Sequence, residues 1–156
     1  MYNSTNTHWR QAHLGHWLAL ALQRFDARVL QLMANNDQMP LALSNLAGRG
    51  SLTASHIHIT RHLALQGSRL TELAQRAGVS KQAMGKLVDQ CEAWGLVQRQ
   101  DDPQDARARR VVFTATGLAW LQAFGEAVLQ AETELRAAVG PEVAAVIAIG
   151  LEAYAA

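Results

Sequence analysis

A polar stripe on one predicted helix is the part of this sequence best suited to binding a ligand by charge and hydrogen bonds. Its members are Lys81, Gln82, Gly85, Lys86 and Asp89, and Ser80, Lys81 and Gln82 lie at the N-terminus of the helix. The free N–H groups and the dipole at a helix N-terminus favour a phosphate. A glutamine can pair with an adenine edge, and a lysine with a guanine or a phosphate. These residue types predict a face that contacts double-stranded DNA, and the alternative is a merely solvated helix face.

Two short helices with almost no space between them must position this stripe. We predict that Thr71 caps the first helix, over 72–77, and that Gly78 breaks the chain. Ser80 then caps the second helix, over 81–94, whose other side carries apolar residues. A brace helix followed by a recognition helix is the arrangement of a helix-turn-helix.

A β-hairpin is predicted directly after the second helix. Gly95 ends that helix as a left-handed residue, and 96–100 is typical of a short strand. Residues 101–108 are predicted to form a polar, eight-residue tip, and 109–113 the returning strand. The hairpin supplies a wing, so the fold class expected is mainly α with a small β-hairpin wing.

Five further helices are predicted before and after these elements, with Gly48 and Gly50 as the break between the second and the third. They cover 13–35, 40–46, 54–66 with Thr53 as N-cap, the segment from Thr114 or Thr116 to 139, and 142–153. The apolar stripe of 13–35 is wider than one core face needs, which indicates burial on more than one side. Since only 17% of the 156 residues are charged, we expect part of the surface to pack against a second copy of the chain.

The ordered motifs between Leu70 and Gly117 resemble the core of the MarR family (multiple antibiotic resistance regulators). The matching segments are Leu70-Thr71-Glu72-Leu73-Ala74, Gly78-Val79-Ser80-Lys81-Gln82, Leu87-Val88-Asp89-Gln90-Cys91-Glu92, Gly95-Leu96-Val97, Asp102-Pro103-Gln104-Asp105-Ala106-Arg107 and Thr114-Ala115-Thr116-Gly117. The number and length of the flanking helices extend the resemblance to nearly the whole chain. It implies one MarR-like domain over 1–156.

The resemblance implies the parts of the chain that serve DNA binding and dimerisation. Residues 53–113 would form the winged helix-turn-helix lobe, while 1–35 and 116–156 would form the dimer interface. Arg107 of the wing would reach the minor groove or its phosphates, oriented by Asp105. The expected DNA-binding residues are Ser80, Lys81, Gln82, Gly85, Lys86, Arg107 and Arg109. A homodimer would set two recognition helices about one DNA turn apart, so the expected operator is a pseudo-palindrome.

Members of the family commonly respond to small aromatic ligands, oxidants or metals, and several residues are candidates for sensing. A pocket for a small aromatic effector could draw on His16, Trp17, His56 and Trp120, although core aromatics and surface histidines are the plainer interpretation. The pairs His58/His62 and His13/His16 share helix faces but lack further ligands at helical spacing, so neither a metal nor a cofactor is predicted. Cys91, the only cysteine, falls on the core side, which favours an inert thiol.

Other functional classes find little support in the sequence. No apolar stretch is long enough to span a membrane and no signal peptide is evident, so a cytoplasmic protein is expected. There is no phosphate-binding glycine loop, G-x-S-x-G or H-E-x-x-H, so we do not expect an enzyme. The remaining alternative is a winged-helix dimeric adaptor without specific DNA binding. Ala83 and Gly85 favour it weakly, because they stand where the family often has hydroxyl side chains.

Overall fold

The computed structural model describes residues 7–48 and 52–156. After a 3₁₀ turn at His8–Gln11, the elements are α1 (Leu14–Ala34), α2 (Leu41–Gly48), α3 (Ala54–His62), β1 (Ser68–Arg69), α4 (Leu70–Ala77), α5 (Lys81–Ala93), β2 (Val97–Asp102), β3 (Asp105–Phe113), α6 (Ala115–Val139) and α7 (Pro141–Ala155). The start of the predicted segment 1–35 and the predicted break at Gly50 lie outside the described residues. The mainly helical fold with a small sheet confirms the predicted fold class.

Polar caps begin three of the helices where the sequence predicts them. Thr53 is the N-cap of α3, and the Ser80 hydroxyl accepts the backbone N–H of Ala83 at 3.1 Å at the start of α5. The Thr114 hydroxyl accepts the N–H of Gly117 at 3.0 Å, which identifies Thr114 and not Thr116 as the N-cap of α6. Gly78 has a left-handed backbone, as a tight turn between two helices requires.

One apolar core joins the long helices to the helix-turn-helix. Its largest buried side chains come from different elements: Met33 of α1, Ile57 of α3, Leu73 of α4, Met84 and Val88 of α5, and Trp120 of α6. The non-polar side of α5 is therefore buried at the helical spacing expected of it. Burial of that side fixes which side of α5 faces outward.

The prediction that Thr71 caps the first short helix is wrong. The helix begins at Leu70, with Arg69 as its N-cap, and the Glu72 carboxylate accepts the Arg69 N–H at 3.1 Å. Ser68 and Arg69 form β1, which pairs antiparallel with Val111 and Arg110 of β3. Because β1 ends at Arg69 and α4 begins at Leu70, Thr71 already lies within the helix and cannot be its N-cap.

The predicted eight-residue wing tip is also wrong. Strand β2 continues to Asp102 and β3 begins at Asp105, so only Pro103 and Gln104 lie between them. The Asp102 carboxylate accepts the N–H of Gln104 at 2.9 Å, which closes the turn. The polar residues from 101 to 108 are hydrogen-bonded strand, because an exposed hairpin needs no apolar alternation at its tip.

The predicted end of the helix that begins at Ala54 is four residues late. The α-helix stops at His62, and Leu63 is extended. The Ser68 hydroxyl accepts the N–H of Ala64 at 3.2 Å, which holds the chain in a turn leading to β1. Leu63 is buried in the core although it lies beyond the end of the helix.

The two terminal helices carry most of the exposed apolar side chains. Helix α7 turns away from α6 by 119° at Gly140, and only its Ala144 is buried. Its exposed members are Val143, Val146, Ile147, Ile149, Leu151 and Tyr154. The first turns of α1 add Leu14, Trp17, Leu20 and Leu22. Within the described ranges no single helix is long and apolar enough to cross a membrane; α6 and α7 reach that length and composition only as a bent pair.

Candidate nucleic-acid interface

The outward side of α5 presents the polar residues predicted to contact DNA. Lys81, Gln82 and Lys86 are exposed, and Gly85 is half-buried between them. A Cβ atom at Gly85 would lie 3.8 Å from the Leu70 side chain, an ordinary contact. The position of Gly85 therefore faces Leu70 of α4 as well as the outside of the helix.

The wing places Arg107 and Arg109 on its exposed strand. The Asp105 carboxylate accepts the backbone N–H of Arg107 at 3.0 Å. Asp105 therefore holds the backbone at Arg107 and not its guanidinium. The Arg109 guanidinium lies 4.0 Å from the Asp101 carboxylate, with both side chains mostly exposed. Such an exposed pair contributes little stability, so Arg109 can exchange its partner for a phosphate at small cost.

Arg99 is a contributor to the interface that the sequence analysis missed. Its guanidinium contacts Asp89 at 2.7 Å and Glu92 at 3.2 Å, and its backbone N–H donates to Glu92 at 2.9 Å. These bonds join the base of the wing to the recognition helix. They also compensate the negative charge of Asp89 on the polar side of α5, where a free carboxylate would repel phosphate.

A second ion pair supports the far end of the wing. The Arg69 guanidinium donates to the Asp102 carboxylate at 2.9 Å, and Asp102 is buried. The Gln104 N–H and then the Arg69 guanidinium lower the pKa of Asp102. Because β1 carries Arg69, the third strand anchors the turn of the wing to the start of α4.

The four residues predicted to line an effector pocket do not come together. Trp120 is 2% exposed in the core, and His56 is buried among Thr53, Gln90 and Trp94. His16 and Trp17 lie near the start of α1, with ring centroids 5.2 Å apart. Trp120 corresponds to the plainer interpretation as a core aromatic, whereas His56 is buried and is therefore not the surface histidine which that interpretation expects.

A groove of about 1230 Å³ between α1, α2 and the end of α6 includes one of those four residues, Trp17. Its walls are mainly apolar, with Phe25 and Leu30 among them. At its edge the Arg28 guanidinium makes two hydrogen bonds to the Glu134 carboxylate, at 2.7 and 2.8 Å. This pair ties α1 to α6 beside the groove.

The Arg28–Glu134 pair predicts an acid-sensitive contribution to stability. Hydrogen bonds from Arg28 and then Gln130 lower the pKa of Glu134 from 4.5 to about 2. Because the folded-state pKa is the lower one, the stabilisation is complete above pH 4.5 and is lost as the pH falls towards 2. We expect Glu134→Gln to flatten the decline of the thermal midpoint over this range. Glu132→Gln removes an exposed helical pair with Arg136 as a control, and an acid decline in Glu134→Gln equal to that of wild type would contradict the assignment.

The other candidate sensing groups do not form a metal-binding cluster or a reactive thiol in the described part of the chain. His58 and His62 stack with ring centroids 6.1 Å apart, but no cluster of three or more metal-ligating side chains occurs in residues 7–48 and 52–156. Burial raises the pKa of the Cys91 thiol to about 12. A thiol with that pKa is not the reactive thiolate that a redox sensor needs.

Together, the braced helix α5 and the three-stranded sheet of order β1-β3-β2 define a winged helix-turn-helix protein. Residues 51–108 match the sequence model of the MarR family, which confirms the resemblance drawn from the motifs. This match supports a role of the chain in the regulation of transcription. Regulators of this family are generally DNA-binding proteins without enzymatic activity, in agreement with the prediction that the chain is not an enzyme. No curated protein matches the chain.

Solved structures of similar fold cover nearly the whole chain. The transcriptional repressor CouR bound to a 23-mer DNA duplex has a TM-score of 0.69 at 22% identity, over 92% of this chain and 93% of that one. Wild-type MarR from E. coli, in its apo form, has 0.68 at 19%, over 91% and 96%. The PcaV regulator from Streptomyces coelicolor in complex with its natural ligand has 0.64 at 21%, over 92% of both chains. At these identities the likeness establishes the fold.

Proposed function

We propose that this chain is a sequence-specific transcription regulator that binds a pseudo-palindromic operator as a homodimer and represses transcription until a ligand releases it. The observation that carries the proposal is the exposed polar face of α5, with the wing and its exposed Arg107 joined to the same helix through Arg99. Arginine and lysine side chains on adjoining elements are the electrostatic footprint of a DNA-binding surface.

In the proposed complex, α5 enters the major groove and the wing follows the neighbouring minor groove. Ser80 and Lys81 stand at the N-terminus of α5, where backbone N–H groups favour a phosphate. Gln82 reads an adenine edge, Lys86 contacts a guanine or a phosphate, and Gly85 permits close approach. Arg107 and Arg109 contact the minor groove or its phosphates, and Asp105 holds the backbone before Arg107.

The terminal segments 1–35 and 116–156 are the proposed dimerisation region, around a DNA-binding lobe over 53–113. Support comes from the exposed apolar side chains of α7 and of the first turns of α1, which a second copy would cover. The groove that Trp17 lines lies between α1, α2 and the end of α6, beside these segments. A two-fold dimer presents two α5 helices to successive turns of the duplex, so each half-site is read once.

Release by a small aromatic effector completes the proposed mechanism. The CouR structure is that of a repressor bound to DNA, and the PcaV structure is a complex with its natural ligand. These two structures support a DNA-bound state and a ligand-bound state for this chain. A ligand releases the operator only if it binds more tightly to a dimer whose α5 helices are wrongly spaced for DNA. Binding near the dimerisation helices would change that spacing.

Titration onto a duplex from upstream of the chain's own gene tests the proposal, with a scrambled duplex as the control. We expect preferential binding that weakens steeply as salt rises, because bound cations are released from the phosphates. Addition of small aromatic acids to the complex then tests release. No binding even at low salt would contradict the proposal and favour the dimeric adaptor.

Replacement of Arg107 by alanine tests the contact made by the wing. We expect affinity to fall about tenfold on the operator and on the scrambled duplex alike. The slope of log affinity against log salt concentration should become shallower by about one unit for each wing. The matched control is Arg136→Ala, which removes an exposed arginine that pairs with Glu132 on α6. Unchanged affinity in Arg107→Ala would remove the wing from the contact set.

A further inference from the structure

Asp26 is a buried carboxylate on α1 that pairs with an arginine of the DNA-binding lobe. It is 4% exposed. The Arg61 guanidinium on α3 donates to its Oδ1 atom, and two thirds of the Arg61 side chain is covered. Within residues 7–48 and 52–156, Arg61 is the one cation that forms an ion pair with Asp26. Because aspartate is rarely buried without a partner, the packing of α1 against α3 depends on this pair.

Helix α1 is held by ion pairs on two opposite sides. Arg28, two residues after Asp26, makes two hydrogen bonds to Glu134 of α6. Residues two apart on an α-helix point about 200° away from each other around its axis. One side of α1 is therefore tied to α6, in the proposed dimerisation region, and the other side to α3, in the lobe that carries the proposed DNA contacts.

Helix α3 is in turn packed against the recognition helix α5. Nε2 of His56 is hydrogen-bonded to Oε1 of Gln90 on α5, and the His56 ring packs against Trp94 with centroids 4.8 Å apart. Ile57 of α3 is buried in the same core as Met84 of α5. Since α3 and α5 pack as one unit, the angle between α1 and α3 also sets the angle between α1 and α5.

The ion pair contributes direction to this arrangement more than stability. Apolar side chains of similar volume often stabilise a protein as well as a buried ion pair does, or better. Apolar contacts are non-directional, so they resist separation of α1 and α3 but allow one helix to turn or slide against the other. A charge-assisted hydrogen bond has a preferred length and angle, so it selects one arrangement of the two helices.

We propose that Asp26 and Arg61 are positioning residues that determine the half-site spacing of the operator, because they fix the orientation of the DNA-binding lobe relative to the dimerisation helices. The proposal rests on the DNA-binding dimer proposed above. Two α5 helices stand at one separation only if each lobe has one orientation on its own α1. Without the ion pair each lobe takes a range of orientations, and operators of several spacings are then bound.

The principal experiment compares the operator with two duplexes in which one base pair is inserted or removed at its centre. Each change moves the half-sites by about 3.4 Å and turns them by about 35° relative to each other. We expect wild type to bind both altered duplexes more weakly than the operator. The double variant Asp26→Leu with Arg61→Met should discriminate between the spacings roughly tenfold less. It removes one charge of each sign, so its net charge is that of wild type. Equal discrimination by the two proteins would overturn the proposal.

Urea unfolding of the same variants separates positioning from a general structural role. The double variant has apolar side chains in place of the pair, so its unfolding midpoint should stay close to that of wild type. Arg61→Met alone leaves a buried carboxylate without its partner and should lower the midpoint. The control Glu132→Gln with Arg136→Gln removes an exposed ion pair within α6 and should keep the discrimination of wild type. Loss of stability together with discrimination in the double variant would assign the pair a general structural role and overturn the proposal.

A distance measurement on the protein without DNA makes the test independent of operator binding. A spin label at Ala83→Cys, an exposed position on α5, reports the separation of the two α5 helices in a dimer. Cys91 is buried, so the label attaches to the new thiol. We expect a narrow distribution near about 34 Å with the ion pair present, and a broader one in the double variant. The same distribution in both would overturn the inference, whereas absence of any distance between two copies would overturn the proposed dimer.

Discussion

Replacing Gly117 with alanine is expected to destabilise the protein by about 3 kcal/mol or more. A Cβ atom at this position would lie 1.8 Å from the Leu96 carbonyl oxygen and 2.9 Å from its carbon. Both are backbone atoms and cannot rotate away as a side chain could. The oxygen is moreover held in place, because it accepts the Thr114 N–H at 3.1 Å.

Urea unfolding followed by circular dichroism measures this effect, with Gly125→Ala as the control. Gly125 lies in the same helix, and a Cβ there meets nothing within 4 Å. Because alanine favours a helix over glycine by about 1 kcal/mol, Gly125→Ala should be neutral or stabilising. Similar unfolding free energies for the two variants would show that the backbone around Leu96 and Gly117 relaxes without cost, which would contradict the prediction.

The contact at Gly117 matters because it fixes the wing relative to the long helix. Leu96 precedes β2, and the Thr114 hydroxyl donates to the Gly95 carbonyl while accepting the Gly117 N–H. The end of α5, the start of the wing and the start of α6 therefore meet at one crowded point. The proposed release by a ligand requires such a connection, because a change in the direction of α6 would have to act on α5 and the wing.

The parts of the fold that were predicted correctly depend on local chemistry. Ser80, Gly78 and Gly95 mark helix ends by capping or by a left-handed backbone, and these signals act within a few residues. The two-residue strand β1 and the short wing turn were missed for a common reason. Their hydrogen bonds join Ser68 to Val111 and Asp102 to Arg69, and neither partner is visible from local spacing.

The same contrast, between local signals and contacts of distant residues, applies to the candidate site. The exposed side of α5 follows from helical periodicity, so Lys81, Gln82 and Lys86 could be identified from the sequence. The attachment of Arg99 to Asp89 and that of His56 to Gln90 required the tertiary structure. An ion pair and a buried hydrogen bond between two helices depend on which helix packs where, and residue type alone made His56 a pocket candidate.

The double substitution Val146→Asp and Ile149→Asp is expected to abolish the proposed dimer and to reduce operator affinity about 100-fold. The two side chains are about 70% exposed, one helical turn apart on α7. Two carboxylates in an apolar interface would lose hydration without gaining partners. A monomer keeps α5 and the wing but contacts only one half-site of the operator. Affinity then falls because the two half-sites are no longer bound by one linked molecule. Sedimentation velocity and operator titration measure the two effects.

Two outcomes separate the role of α7 in dimerisation from a general loss of structure. Gln75→Asp, an exposed position on α4 outside the terminal helices, should leave the sedimentation coefficient unchanged. The double variant should keep the helical circular dichroism of wild type, because the monomer already leaves these α7 side chains exposed. A double variant that still sediments as a dimer would exclude this face of α7 from the interface. The exposed apolar side chains of the first turns of α1, and Leu118, Leu129 and Val139 of α6, would then be the candidates for packing against a second copy.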